Sequence, residues 1–158
     1  MKKLLFTALL FVAVFYAGAQ TTKPILQSIG VKVYPGAITY KQYKSETVAK
    51  ELLAYFNDDG FRLTGLYEKH MPIPNAEGLQ WYVGGGGHFG LWNSSWRLRN
   101  PPSTAVFAIG VDGVLGLDYK IPNAPLAVSF DWQPSFNLVG HTYFEGGWGG
   151  LAVRYTFK

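Results

Sequence analysis

Leu151-Ala152-Val153-Arg154-Tyr155-Thr156-Phe157-Lys158 sets a large apolar residue at every second position, almost to the last residue of the chain. Small or polar residues stand between them, and one of these, Arg154, carries a full charge. Successive side chains of a strand point to opposite faces, so the segment reads as a strand with one apolar and one polar face. The same period recurs upstream. Phe61, Leu63 and Tyr67 oppose Arg62, Thr64, Glu68 and His70. Leu79, Trp81, Val83, Phe89 and Leu91 oppose Gln80, Tyr82 and His88. Phe107, Ile109, Val111, Leu115, Leu117 and Tyr119 oppose Asp112, Asp118 and Lys120, and Leu126, Val128, Phe130 and Trp132 oppose Ser129, Asp131 and Gln133.

Turn signals separate these runs: Tyr34-Pro35-Gly36, Asn57-Asp58-Asp59-Gly60, the stretch 71–78, a long polar loop over 93–103, Pro122-Asn123-Ala124-Pro125, and a last loop over about 136–147. Strands are expected at about 26–33, 37–43, 47–56, 61–71, 79–92, 105–121, 126–134 and 148–157, which makes eight. Residues 44–56 also fit a helix, with Val48, Leu52 and Phe56 four apart. As a strand this segment turns Lys50 outward, and it is read as a strand because that keeps the number of strands even.

The ends and the composition narrow the class. Lys2 and Lys3, the apolar run Leu4 to Tyr16 and the small residues Ala17-Gly18-Ala19 have the form of a secretory signal peptide, with residues 20–158 as the mature domain. Removing it leaves 12 basic against 10 acidic residues, so half of the basic excess disappears. The remaining basic residues are dispersed, and no nucleic-acid partner is expected. The chain has no cysteine, which excludes disulfides and thiolate metal sites. Aromatic residues make up 16% and glycines number 19, both high for an ordinary globular domain. No segment of 20–158 is apolar for long enough to cross a membrane as a helix, so any crossing must be made by strands.

The polar faces collect Lys32, Lys41, Arg62, Lys120 and Arg154 with Glu51, Glu68, Asp112, Asp118 and Asp131. A soluble sheet with its charges in water shows the same alternation. Three features favour charges inside and apolar groups in lipid: the apolar faces are aromatic and nearly unbroken, Tyr34, Trp81, Trp92, Tyr119, Trp132 and Tyr155 recur near strand ends, and the charges balance well enough to pair. The expected fold is all-β: an eight-stranded antiparallel up-and-down transmembrane barrel, preceded by a cleaved signal peptide.

On the export segment ending Ala17-Gly18-Ala19, the terminal strand Leu151 to Phe157 and the alternation over 26–157, the chain resembles the small eight-stranded outer-membrane barrels of Gram-negative bacteria, the OmpA-transmembrane and OmpX-like class. That family's terminal strand usually ends on Phe, whereas here Lys158 follows Phe157. The resemblance implies an outer-membrane location, insertion by the barrel-insertion machinery, contact with outer-membrane lipid and lipopolysaccharide, a monomer, and a lumen closed by side chains.

Motifs that carry chemistry are few. Gly85-x-Gly87-x-x-Gly90 matches a dinucleotide fingerprint by letters but lies inside an expected strand, so no cofactor is expected. Glu68, His70, His88 and Asp112 could meet in one lumen as an acid–base or metal site. The expected alternative is a structural network of Lys32, Lys41, Glu51, Arg62, Glu68, His70, His88, Asp112, Asp118, Lys120, Asp131 and Arg154, with no metal. Trp92, Trp96, Arg97 and Arg99 form an aromatic and basic loop that, with His141 and Tyr143, is the candidate interaction surface. Two other functions are open to the sequence. A lipid A-modifying enzyme would draw on His141, Ser135, Thr142 and Glu145, although no spacing matches such a set. A secreted lipocalin-like barrel would need an apolar calyx. The expected protein is non-enzymatic, with a structural or surface-interaction role.

Overall fold

The computed structural model describes residues 26–58, 60–99, 106–140 and 142–158. The segment read as a signal peptide lies outside the described residues. The strands are β1 (Gln27–Lys32), β2 (Ala37–Tyr43), β3 (Val48–Asn57), β4 (Gly60–Pro72), β5 (Leu79–Trp92), β6 (Phe107–Lys120), β7 (Leu126–Trp132), β8 (Ser135–Val139), β9 (Phe144–Glu145) and β10 (Gly149–Phe157), with a short helix, α1 (Ser94–Arg99), between β5 and β6. Each of β1 to β6 pairs antiparallel with the next, β7 pairs with β10, and β10 pairs with β1. The sheet therefore closes on itself as a barrel of eight staves, and closure removes the exposed edges that an open sheet would carry.

Two staves are each made of two strands. β7 and β8 run along β6 in one register, Leu115 facing Trp132 and Asp112 facing Ser135. The break falls at Pro134, which has no N–H to give to the ladder, although its carbonyl still accepts from Gly113 N at 2.8 Å. The loop expected from residue 136 onward thus begins only after Val139, because Ser135 and Asn137 turn inward while Phe136 and Leu138 turn outward. β9 and β10 flank a bulge. Gly149 opposes Trp132 and Glu145 opposes Ser135, so the last stave has one more residue in this interval than its neighbour. The bulge changes which residues face inward: Trp148, Ala152 and Arg154 are buried, whereas Phe144 is exposed.

The ambiguous segment is a strand. β3 pairs with β4 over its whole length and with β2 over residues 49–55, and Lys50 is exposed on the outer face as the period of two requires. Residues 94–99, read as part of a polar loop, form α1. Asn93, a residue type that caps helix N-termini, directly precedes it.

The two faces are inverted relative to a soluble protein. Exposed apolar residues cover the outer wall on every stave, among them Val31 (55%), Leu63, Val83, Ile109, Leu115, Phe130 (63%) and Val153. Inside, Lys41 and Glu68 have no exposed surface and Arg62 and Arg154 have 1% each. Tyr67, Trp81, Tyr119 and Tyr155 ring the outer wall near the end that carries Leu26 and Lys158, and Tyr34 and Phe56 lie at the opposite end. Trp132, expected in such a ring, faces outward in the middle of its stave, where its indole N–H donates to Gly146 O at 2.9 Å.

Leu115→Arg, at mid-wall on β6, is expected to destabilise folding into lipid vesicles by about 2–4 kcal/mol, against about 0–1 kcal/mol for Tyr119→Arg at the rim. Urea titration of both variants in vesicles measures the difference. Equal effects at the two depths would contradict the face assignment.

Candidate functional site

The chemistry of this chain is concentrated inside the barrel, and the sequence places it there by alternation alone. Toward the end carrying Leu26 and Lys158, Lys41 on β2 lies 2.8 Å from Glu68 Oε2, 3.2 Å from Glu51 Oε2 and 3.6 Å from Asp118 Oδ2. Arg154 on β10 bridges Glu51 Oε1 at 3.0 Å and Asp118 Oδ2 at 3.3 Å, and donates to Ser129 Oγ at 2.8 Å. Thr39 donates to Glu51, and the Tyr43 hydroxyl donates to Asp118 Oδ2 at 2.9 Å. His70 Nε2 lies 2.9 Å from Glu68 Oε2, and its ring stacks on Tyr82 with centroids 4.8 Å apart. The Lys41 ammonium also lies against Tyr82, 4.3 Å from the ring centroid.

At mid-height Lys32 Nζ meets Asp131 Oδ1 at 2.7 Å, and the Tyr82 hydroxyl donates to Asp131 Oδ2 at 2.8 Å. The Tyr55 hydroxyl donates to Gln133 Oε1 at 2.7 Å, and Gln133 Nε2 donates to Asp112 Oδ1 at 3.0 Å. Toward the other end Arg62 pairs with Asp112, donates to Ser135 Oγ at 3.3 Å and reaches Glu145 Oε2 at 3.5 Å. Its guanidinium also lies 4.1 Å from the Trp148 ring centroid. His88 sits between Asp112 Oδ2, 2.8 Å from Nδ1, and the Asn137 side-chain amide, 2.7 Å from Nε2. Glycines opposite the large inward rings make this packing possible. A Cβ on Gly116, the partner of Tyr82, would fall 2.6 Å from the phenol ring, and one on Gly110, the partner of His88, 2.5 Å from the imidazole.

Eleven of the twelve residues expected in the lumen network are buried there. Lys120 is the exception. It has the inward parity, but it is the last residue of β6 and is exposed at the barrel mouth. The buried set is therefore four cations and five carboxylates rather than five and five, and the two histidines each touch one of those carboxylates. Glu68 with His70 and Asp112 with His88 form two separate pairs at different heights. No group of three or more metal-ligating side chains forms among the described residues.

The loop candidates divide. Trp92, expected in the loop and in the outer aromatic ring, is the last residue of β5. Its alternation turns it inward, where it is buried with Trp148, Tyr55 and Leu53 in a cap over the charged lumen. Trp96, Arg97 and Arg99 lie on α1. His141 lies outside the described residues. Tyr143 packs against the buried cap, and burial together with the nearby Glu145 carboxylate pushes its phenol pKa up to about 12. Ser135, grouped with His141 in the enzyme alternative, faces the lumen beside Arg62. Tyr43, Tyr55, Asn137 and Trp148 join the interior although no motif marks them. Parity within a stave is the one signal in the sequence that points to them.

The site is thus a side-chain plug in a closed antiparallel barrel. Its buried ionic core is the opposite of an apolar calyx. No protein-family model matches the chain, and no curated protein matches it.

Lys32→Met is expected to destabilise the barrel by about 3–5 kcal/mol, because Asp131 is left buried with only the Tyr82 hydroxyl. Adding Asp131→Asn should recover more than half of that loss. The double-mutant cycle, read by urea unfolding, would count against a paired lumen if the second substitution recovered nothing.

Proposed function

We propose that this chain is a small monomeric outer-membrane barrel of a Gram-negative bacterium. It is exported by residues 1–19 and inserted as residues 20–158 by the barrel-insertion machinery. Its role is structural or interactive rather than enzymatic. The lumen is closed by the charged side chains that fill it, so the barrel does not conduct solutes; a barrel of eight strands has an interior just wide enough for side chains. The surface offered to partners is the connection bearing Trp96, Arg97 and Arg99 together with the last connection, with His141 and Tyr143, and these face lipopolysaccharide head groups.

One observation carries the reading: the exposed wall is apolar on all staves while Arg62, Arg154, Lys32 and Lys41 are buried. In water this arrangement would leave most of the apolar surface unburied and still desolvate nine charges. In a bilayer the same wall meets hydrocarbon, and the backbone groups are satisfied by ring closure.

The unboiled protein in dodecyl sulfate should migrate differently from the boiled protein, and the chain should stay with carbonate-washed membranes on fractionation. Recovery in the periplasm without detergent would sink the reading. Lipid A from cells with and without the chain should have the same mass; a chain-dependent change in mass would favour an enzyme.

A further inference from the structure

The outer wall is not uniform. Gly65 on β4, Gly85 and Gly87 on β5 and Gly113 on β6 all face outward. The register pairs Gly65 with Gly87 and Gly85 with Gly113, so four side-chain-free positions adjoin across three staves. A Cβ at Gly65 would meet nothing within 4 Å, so this glycine is not explained by crowding, whereas at Gly85 and Gly87 a Cβ would lie 3.2 Å from Asp112 O and 3.1 Å from Gly110 O. Beside it a groove of about 460 Å³ opens on the outer face, the scale of small-ligand sites. Leu52, Gly65 and Gly85 floor it, and Tyr40, Gln42, Tyr67 and Lys50 flank it.

Lys50 is the unusual element. It is a cation on the outer face, and its register partners are Gln42 on β2 and Tyr67 on β4. Lys69, two residues beyond Tyr67 on the same outward face, is also exposed. No acidic side chain among the described residues forms an ion pair with either lysine. The nearest carboxylate along the chain, Glu51, is turned into the lumen and held there by Lys41 and Arg154. Both lysines lie toward the barrel end ringed by Tyr67, Trp81, Tyr119 and Tyr155, where head groups meet hydrocarbon.

We propose that this groove is a binding site for one anionic phospholipid. An acyl chain lies along the glycine floor between Tyr40 and Tyr67, and the head-group phosphate is held by Lys50 with Lys69. The glycines let the chain approach the backbone closely, which a wall of Leu and Val would prevent. The lysines supply the charge, at a depth where their stems can lie on the wall while their ammonium groups reach the head-group layer. The proposal rests on the membrane reading above.

The test uses the full mature chain folded into vesicles of phosphatidylcholine containing a minor fraction of phosphatidylglycerol, with native mass spectrometry of the extracted protein counting retained lipid. The unaltered chain should retain phosphatidylglycerol about fivefold over its share of the vesicle. Lys50→Gln should abolish that preference. Gly65→Leu should reduce retention of either lipid by filling the groove, with the boiled-versus-unboiled gel shift reporting that the barrel still folds. A chain that inserts but retains the two lipids in proportion, or a Lys50→Gln variant that keeps the preference, would overturn the lipid site alone. A dimer that excludes lipid would make a second copy the occupant and overturn it as well. A chain that does not insert would overturn both this site and the membrane reading.

Discussion

The pairing of β1 with β10 is the contact on which everything else depends. Gly30 opposes Arg154 and Val31 opposes Val153, in a register that runs on to Ser28 opposite Thr156. Closure satisfies the edge groups of both strands at once. It also transmits a parity around the ring, because a slip of one residue at the seam would turn Arg154 outward and Val153 inward. Once the seam is set, the positions of Lys41, Glu51, Arg62 and Asp118 follow stave by stave. Ionic pairs that join distant parts of the sequence, such as Arg154 with Glu51 and Lys32 with Asp131, can form only in the closed ring. Buried charges of this kind contribute less to net stability than hydrophobic groups of the same volume could. Their clearer effect is on specificity. A register that left Arg154 without Glu51 and Asp118 would bury an unpaired charge, so the ionic lumen penalises wrong closures more than it rewards the right one.

Much of this architecture is legible in the order of residues, because a barrel of short staves is close to the simplest reading of period two. Alternation locates every stave and assigns the inward charges correctly except at Lys120. That residue has the right parity, but parity says nothing about depth: the last residue of β6 opens onto solvent. Trp92 misleads for the reverse reason. A tryptophan near a strand end suggests an outer ring, yet its place in the alternation, two residues after Gly90 and four after His88, is inward. The turn-rich composition of residues 136–147 hides the extension of a stave past Pro134. A proline suggests a break, but only one ladder bond is lost there. The bulge at residues 146–148 is invisible for a related reason: it is defined by a mismatch between two strands and not by the residues of either. Residues 44–56 fit two periods at once, and pairing on both sides of β3 decides between them.

The interior has a gradient that no motif announces. At the end carrying Leu26 and Lys158 it is ionic, with Lys41, Arg154 and three carboxylates in mutual contact. At the other end the charges narrow to Arg62, Asp112 and Glu145, and the Trp92–Trp148–Tyr55 cluster closes over them. Arg62 joins the two chemistries, since one guanidinium bonds to carboxylate and hydroxyl in its plane and offers its face to the Trp148 ring. A lysine there could pair with Asp112 but could not also stack.

That filled interior limits where this protein can recognise anything. Tyr82, Arg62, Arg154 and His70 occupy the lumen with fully buried side chains, so an internal ligand would have to displace hydrogen-bonded charges that have no alternative partners. The connections and the outer wall have no such constraint. On the wall the glycines serve two opposite purposes. Gly110 and Gly116 are small because His88 and Tyr82 need the space inside, and this is a packing requirement of the fold. Gly65 satisfies no such requirement, because the space above it is open. A residue that is small where nothing crowds it, beside a lysine without an acidic partner on the outer face, is what a surface fitted to an amphiphile with a negative head requires. The fold's own needs explain neither feature.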